Sequence, residues 1–265
     1  MSEKTVTRAK DAVATEEPLE IRVQHRGVEH VISITMRTPG SDFELATGFL
    51  LAEGVVRSKD DVDRVQYCVG GPVEQQFNIF TVILRPSARF DPGSLARSFP
   101  MNSACGVCGK ASLEALQMHD PPSLPDGPAV YPAVLRSLPE TLRRQQKSFA
   151  RTGGVHAAGL FEPGGSSLIV REDVGRHNAV DKVTGALLLD GRIPAGERVL
   201  QVSGRASYEI MQKALMAGIP FVSAVGAPSS LAVSLAEEFG MTLAGFVTAE
   251  GFNVYAGTQR VITQS

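Results

Sequence analysis

An α/β fold in two unequal parts is what this sequence predicts, on three observations. Beyond residue 128, short runs of β-branched and aromatic residues alternate with helical stretches carrying apolar positions such as Ile210, Ala214 and Ala217, the pattern of a mostly parallel sheet sandwiched by helices. Before it, four strand-like runs surround one helix, an α+β unit of low regularity. Between them, Pro121-Pro122-Ser-Leu-Pro125-Asp-Gly127-Pro128 can continue neither kind of element. The expected organisation is a disordered tail over 1–18, an N-terminal α+β domain over 19–127 and an α/β domain over 128–265.

Taken in order, 1–18 is polar, charged and without apolar periodicity. Strands over 19–24 and 30–36 flank an Arg26-Gly27 turn, and Ser41-Asp-Phe-Glu44 reads as a capping box opening a helix over 43–53 that stops at Gly54. Strands over 62–69 and 77–84 follow, then an irregular stretch over 86–102 and a helix-like segment at 111–117. After the linker come a helix over 131–150 and strands over 155–161 and 167–171, joined by the turn Glu162-Pro-Gly-Gly165 into the one expected hairpin of this half. Helices over 177–189, 207–217 and 230–239 then alternate with strands over 198–202, 221–225 and 243–247.

Composition narrows the function. The 265 residues carry a net charge of -2, with no basic excess that would draw a nucleic acid or a membrane surface. No apolar run approaches the ~20 residues that span a bilayer, and the N-terminus lacks the apolar core of a signal peptide, so a cytoplasmic location is expected. Three cysteines, Cys68, Cys105 and Cys108, are too few for a disulfide framework.

The chemistry concentrates at Cys105-Gly-Val-Cys108. Gly106 and Gly109 remove bulk beside both thiols, and a helix N-terminus just beyond, together with Lys110, favours thiolate over thiol. Structural zinc would need two further ligands, and neither a second Cys-x-x-Cys nor a pair among His25, His30, His119, His156 and His177 supplies them. A thioredoxin-like pair belongs inside a βαβ unit, whereas this one lies in an irregular segment before a proline-rich linker. A persulfide carrier needs one exposed thiolate on a segment able to deliver sulfur. Two apolar fillers would not have these polar and glycine neighbours.

Two further constellations lie in the second half. The run from Arg171 to Lys182 spans a strand end and a helix start, placing Asp173, Arg176, His177 and Asn178 at the rim of a pocket of the kind open α/β sheets form. His177 and Asp181 share a helical face, where bonding to each other is the plain structural alternative to ligand contact. Ser203-Gly-Arg-Ala-Ser207 follows a strand and opens a helix, pointing N–H groups, a guanidinium and hydroxyls at one spot, and Ala227-Pro-Ser-Ser230 repeats the arrangement. A polyphosphate-bearing ligand suits such a pair of turns; ordinary N-capping by Ser207 explains part of the pattern. Arg136, Arg143, Arg144, Lys147 and Arg151 make one helix basic, which reads as a solvated face.

Cys105-Gly-Val-Cys-Gly109, Thr152-Gly-Gly-Val-His-Ala-Ala158, the Arg171–Lys182 run and Ser203–Ser207 together resemble the FdhD family of formate dehydrogenase accessory sulfurtransferases, over about residues 19–255. The resemblance implies a cytidine-deaminase-like, three-layer C-terminal domain, a homodimer, and transfer of sulfur from a cysteine desulfurase to the molybdenum cofactor, in its Mo-bis guanine dinucleotide form, for formate dehydrogenase. It assigns the persulfide to Cys105 with Cys108 as its partner. Cofactor binding falls to Phe246, Val247, Thr248, Ala249, Glu250 and Gly251, with Ser203, Gly204, Arg205 and His177 beside them. Family members often carry an arginine or a second glycine where Thr248, Ala249 and Glu250 stand. No zinc is expected, because zinc deaminases place a Pro-Cys-x-x-Cys inside the α/β domain and this chain has no cysteine after Cys108. The competing functions are a non-catalytic cofactor chaperone and a dithiol oxidoreductase.

Overall fold

The computed structural model describes residues 8–68, 77–92 and 120–262. Two sheets face each other across a buried pair of helices. Strand β1 (Glu17–His25) turns into β2 (Val28–Arg37) through Arg26 and Gly27, both at positive φ, 50° and 82°, as a two-residue hairpin loop requires. Leu19, Ile21 and Val23 alternate inward while Glu20, Arg22 and Gln24 face out. With β3 (Val62–Tyr67) and β4 (Ile79–Leu84) they form a sheet of order β2-β1-β4-β3 in which β1 and β4 run parallel.

Helix α1 (Asp42–Ala52) crosses the inner face of this sheet. The expected capping box at its start is not made: Ser41 sits at φ 56° and its side chain caps nothing. Asp42 takes a bidentate ion pair from buried Arg37 instead, at 3.0 and 2.9 Å, and a hydrogen bond from the Tyr67 hydroxyl. That charge and burial push the Tyr67 phenol up to about 12, burial being the larger cause. The reciprocal box lies at Ser58 and Asp61, on a short 3₁₀ turn.

The linker leads to α2 (Pro132–Arg143) and α3 (Lys147–Thr152), which replace the single helix expected over 131–150. The break comes from outside the segment. The Glu172 carboxylate accepts the N–H groups of Ser148 and Phe149, both at 2.8 Å, and so caps a new helix start where one long helix would have had none. Strands β5 (His156–Phe161) and β6 (Ser167–Asp173), helix α4 (Arg176–Leu189), β7 (Val199–Val202), α5 (Tyr208–Met216), β8 (Phe221–Ala224), α6 (Ser230–Glu238), β9 (Thr242–Gly245) and β10 (Asn253–Ala256) follow. The sheet order is β10-β9-β8-β7-β5-β6, with only β7, β8 and β9 mutually parallel. Strand β10, antiparallel to β9, has too weak a pattern to be expected from sequence. One face packs Ala158, Leu160, Leu200, Val202 and Val222 against α4, α5 and α6; the other packs Ala157, Phe161, Val199 and Phe221 against Leu135, Leu138 and Leu142 of α2. The result is the three-layer α/β arrangement expected, beside a smaller α+β unit, but the sheet is not mostly parallel as its strand-helix alternation suggested. Three of its five pairings are antiparallel, because the β5–β6 hairpin and β10 are added to the parallel β7-β8-β9 core.

The two parts share one core, and α1 against α4 is its centre. Both helices are buried nearly all round, and α4 carries Asn178, Asp181 and Lys182 into the core along with its apolar residues. They cross at two glycines: a Cβ at Gly48 would overlap the Asp181 carbonyl, and one at Gly185 would overlap the Glu44 carbonyl. Around the crossing, Lys182 Nζ bonds Asp173 at 2.7 Å and donates to Thr38 O at 2.8 Å, while Asn178 Nδ2 donates to Met36 O at 2.8 Å. Arg171 Nη2 donates to Glu44 Oε1 at 2.6 Å. No described helix is long and apolar enough to cross a membrane.

The crossing leaves no room for a methyl group. Gly48→Ala or Gly185→Ala is expected to destabilise by about 3 kcal/mol in urea titration. Gly164→Ala, on an open turn, should stay within about 0.5 kcal/mol.

Candidate functional site

Five strand ends converge on one edge of the six-stranded sheet. The parallel strands β7, β8 and β9 finish there, β6 finishes beside them, and antiparallel β5 begins there with His156. This is where open α/β sheets place ligands. An open cleft of about 810 Å³ occupies the position, floored by Val155, His156, Val174, Ser203 and Val225 at the strand ends and by Ala249 on the turn after β9. Its other wall is α2 and α3, presenting Arg136, Glu140, Arg143, Phe149 and the Gly153-Gly154 corner. That corner lies at the C-terminal end of α3, where Gly153 caps the helix at a positive φ of 65°.

The turns that leave the parallel strands are bonded to one another. Ser203 exchanges two hydrogen bonds with Ala157, its N–H to the carbonyl and its Oγ from the N–H, each 2.9 Å. Gly226 N donates to Gly204 O at 2.9 Å, Ala206 N to Ala227 O at 3.2 Å, Ser229 N to Ala206 O at 2.9 Å and Phe246 N to Gly226 O at 3.2 Å. Two of the N–H groups expected to meet a phosphate, those of Ser203 and Ala206, are thereby already taken. Ser207 gives no side-chain cap, whereas Ser229 caps α6 by accepting from Ala232 N at 3.2 Å. Arg205 extends from this lip into solvent.

Within the expected cofactor segment the residues divide. Val247 is fully buried in the core and cannot touch a ligand. Phe246 holds φ at 51°, a costly conformation for a bulky residue, and leaves its ring half exposed. Thr248, Ala249 and Glu250 are exposed on a tight turn closed by Thr248 N–H to Gly251 O at 2.9 Å, and Ala249 lines the cleft.

The rim expected at Asp173, Arg176, His177 and Asn178 is only half a rim. Asp173 and Asn178 are buried and tie the two sheets together, with Asp173 accepting from Thr38 N, Gly175 N and Asn178 Nδ2. His177 does not bond Asp181; Asp181 pairs with Lys213 at 2.7 Å, which offsets the burial that pushes its carboxyl up. His177 Nε2 faces Glu209 Oε2 at 2.8 Å and Ser207 Oγ at 3.1 Å. Both partners meet the same ring nitrogen, so the ring cannot relay a proton from hydroxyl to carboxylate as a nucleophile's base does. Arg176 lies beside Gly204 and His156, with a buried, unpartnered Nε. Burial first, then the Arg176 and His177 charges, hold the His156 imidazole below its ordinary value.

Cys105 and Cys108 lie outside the described residues, as do the helix expected at 111–117 and His119. Cys68, half-buried, is the free cysteine among the described residues, which hold no cluster of three metal-ligating side chains. The missed feature is the basic helix: Arg136 and Arg143, seven residues apart and so on one helical face, line the cleft. That spacing was the available signal.

The sequence profile of the FdhD/NarQ family matches residues 14–262. The chain belongs to this family. Over 267 residues it is 51% identical to the sulfur carrier protein FdhD of Mycobacterium tuberculosis, covering 98% of this chain and 95% of that one. It is 48% identical over 260 residues to the protein of the same name in Streptomyces coelicolor, covering 97% and 91%. The fold of this FdhD/NarQ chain is similar to the crystal structure of a protein described as a formate dehydrogenase accessory protein from Desulfotalea psychrophila, with a TM-score of 0.73 and 26% identity over 95% of this chain and 91% of that one.

The hydrogen bond from His177 lowers the Glu209 carboxyl below its usual range. The stability it contributes is therefore present above the ordinary carboxylate value and lost as the pH falls through the lowered one. Glu209→Gln should remove that part of the acid-side loss, seen as a flatter decline of urea midpoints from neutral to acidic pH.

Proposed function

We propose that this chain is a sulfurtransferase that carries sulfur as a persulfide on Cys105, between a cysteine desulfurase and the molybdenum cofactor destined for formate dehydrogenase. The observation that carries the reading is the glycine-flanked Cys105-Gly-Val-Cys108 pair in a chain that matches, over nearly its whole length, proteins named sulfur carriers. The Cys105 thiolate attacks the outer sulfur of the donor's persulfide; a new S–S bond forms, the donor's S–S bond breaks, and the donor cysteine leaves as thiolate. Attack of the Cys108 thiolate on the Cys105 sulfur then releases the outer sulfur as hydrosulfide and leaves a disulfide, which an external thiol reductant returns to the dithiol.

The bis guanine dinucleotide form of the cofactor is the cargo, held at the sheet edge. Support comes from the cleft at the strand ends, its arginines on α2, and the lip where Ser203, Gly204 and Arg205 stand near Phe246 and the 248–251 turn. The protein works in the cytoplasm as a homodimer, handing the sulfurated cofactor to formate dehydrogenase.

After incubation with a cysteine desulfurase and cysteine, mass spectrometry should find an adduct of about 32 Da, one sulfur atom, on the peptide holding Cys105 and Cys108. Cys105→Ala should abolish transfer of labelled sulfur to the cofactor; transfer at the wild-type rate would remove Cys105 from the role. Arg205→Ala should weaken guanine nucleotide binding about tenfold in calorimetry, as loss of a charged hydrogen-bond donor does.

A further inference from the structure

The wall of the cleft opposite the strand ends carries cations. Arg136 and Arg143 line it from α2 with Glu140 between them, and the Glu140 carboxylate is turned to Arg144, whose Nε lies 2.9 Å away. The Arg143 guanidinium is stacked 3.7 Å over the Phe149 ring, which fixes its direction while leaving its donors free for a ligand. His156 stands on the floor facing them. Among the described residues no hydrogen bond holds its ring.

The charges around His156 can be named element by element. Arg176 and His177 approach from α4, and Glu209 of α5 sits behind, engaged with His177. Asp173 is its register partner on β6 and is matched by Lys182. Arg136, Glu140 and Arg143 look across from α2. With the cleft open to water, partial burial first and then the Arg176 and His177 charges favour the neutral imidazole. An anion drawn in by the α2 arginines reverses the sign of the local field, and the protonated ring then supplies two N–H donors where the neutral ring supplies one.

We propose that this cleft is an anion clamp, with Arg136 and Arg143 on one wall and His156 on the other, which binds a phosphate diester together with one proton taken up by His156. The inference deepens the cofactor reading above and rests on it for the choice of ligand. Its consequence is a cargo held more tightly as the pH falls and released as it rises, because the complex binds one more proton than the free components.

The test uses the full chain and a guanosine dinucleotide whose bridging pyrophosphate does not titrate between pH 6 and 8. Calorimetry in buffers of different ionisation enthalpy should show net proton uptake, with affinity rising at least about threefold from pH 8 to pH 6. His156→Gln should bind with an affinity that no longer changes with pH. Arg143→Ala should bind more weakly at every pH and keep the proton uptake. Unchanged pH dependence in His156→Gln, or none in the wild type, overturns the proposal. In parallel, the His156 imidazole is titrated by NMR in sulfate and in chloride of equal ionic strength. A midpoint raised by sulfate supports the clamp without any nucleotide; no difference overturns it whatever the dinucleotide does. Failure of the dinucleotide to bind, with the sulfate effect intact, counts against the cofactor reading and leaves the clamp standing.

Discussion

The rest of the molecule depends on the place where α1 and α4 meet backbone to backbone. Gly48 lies on the Asp181 carbonyl and Gly185 on the Glu44 carbonyl, so the two helices approach more closely than any side chain would permit. The carboxylates and ammonium groups that ring this contact, Asp173 with Lys182 and Asp181 with Lys213, are buried and mutually satisfied. Such pairs add little net stability compared with apolar packing, yet each is costly to break singly because a lone buried charge remains. They act as registry pins. A slip of one helix along the other would strand several charges at once.

That crossing also explains how the site is built. Helix α4 is held against the small sheet by Asn178 and Lys182, and Arg171 just upstream is held to α1 by Glu44. The start of α4 is therefore fixed, and with it the positions of Arg176 and His177 relative to the ends of β5 and β7. On the opposite face, Glu172 of β6 captures the start of α3 and bends the chain back over the strand ends. Two successive residues of one strand, Glu172 and Asp173, thus organise both sides of the cleft by pointing to opposite faces of the sheet.

Much of this was legible in the sequence, and the exceptions share a cause. The strands of the first half, the alternation after residue 128 and most helix limits follow from local periodicity, which residues i and i+2 or i+4 express by themselves. The break between α2 and α3 and the partners of His177 and Asp181 depend on groups distant in sequence: Glu172, Glu209 and Lys213. A charged residue in a sequence shows that a partner is needed without showing which one. Asp173 and Asn178 looked like ligand contacts for the same reason, since a polar run at a strand end has the same composition whether it faces solvent or a second sheet. The basic face of α2 is solvated as its composition suggests, with Arg136, Arg143 and Arg144 all exposed; what that composition did not show is that Arg136 and Arg143 also line the open cleft.

The turns after β7, β8 and β9, bonded one to the next from Gly204 through Gly226 to Phe246, carry the sheet on past the ends of its strands. The floor of the cleft is thus a ledge braced by backbone hydrogen bonds between successive turns. Adaptation to a bulky guest then falls to the facing wall, where a six-residue helix and a pair of glycines offer far less resistance. The cleft is braced on one side by hydrogen-bonded turns and closed on the other by a short helix with no buried residue.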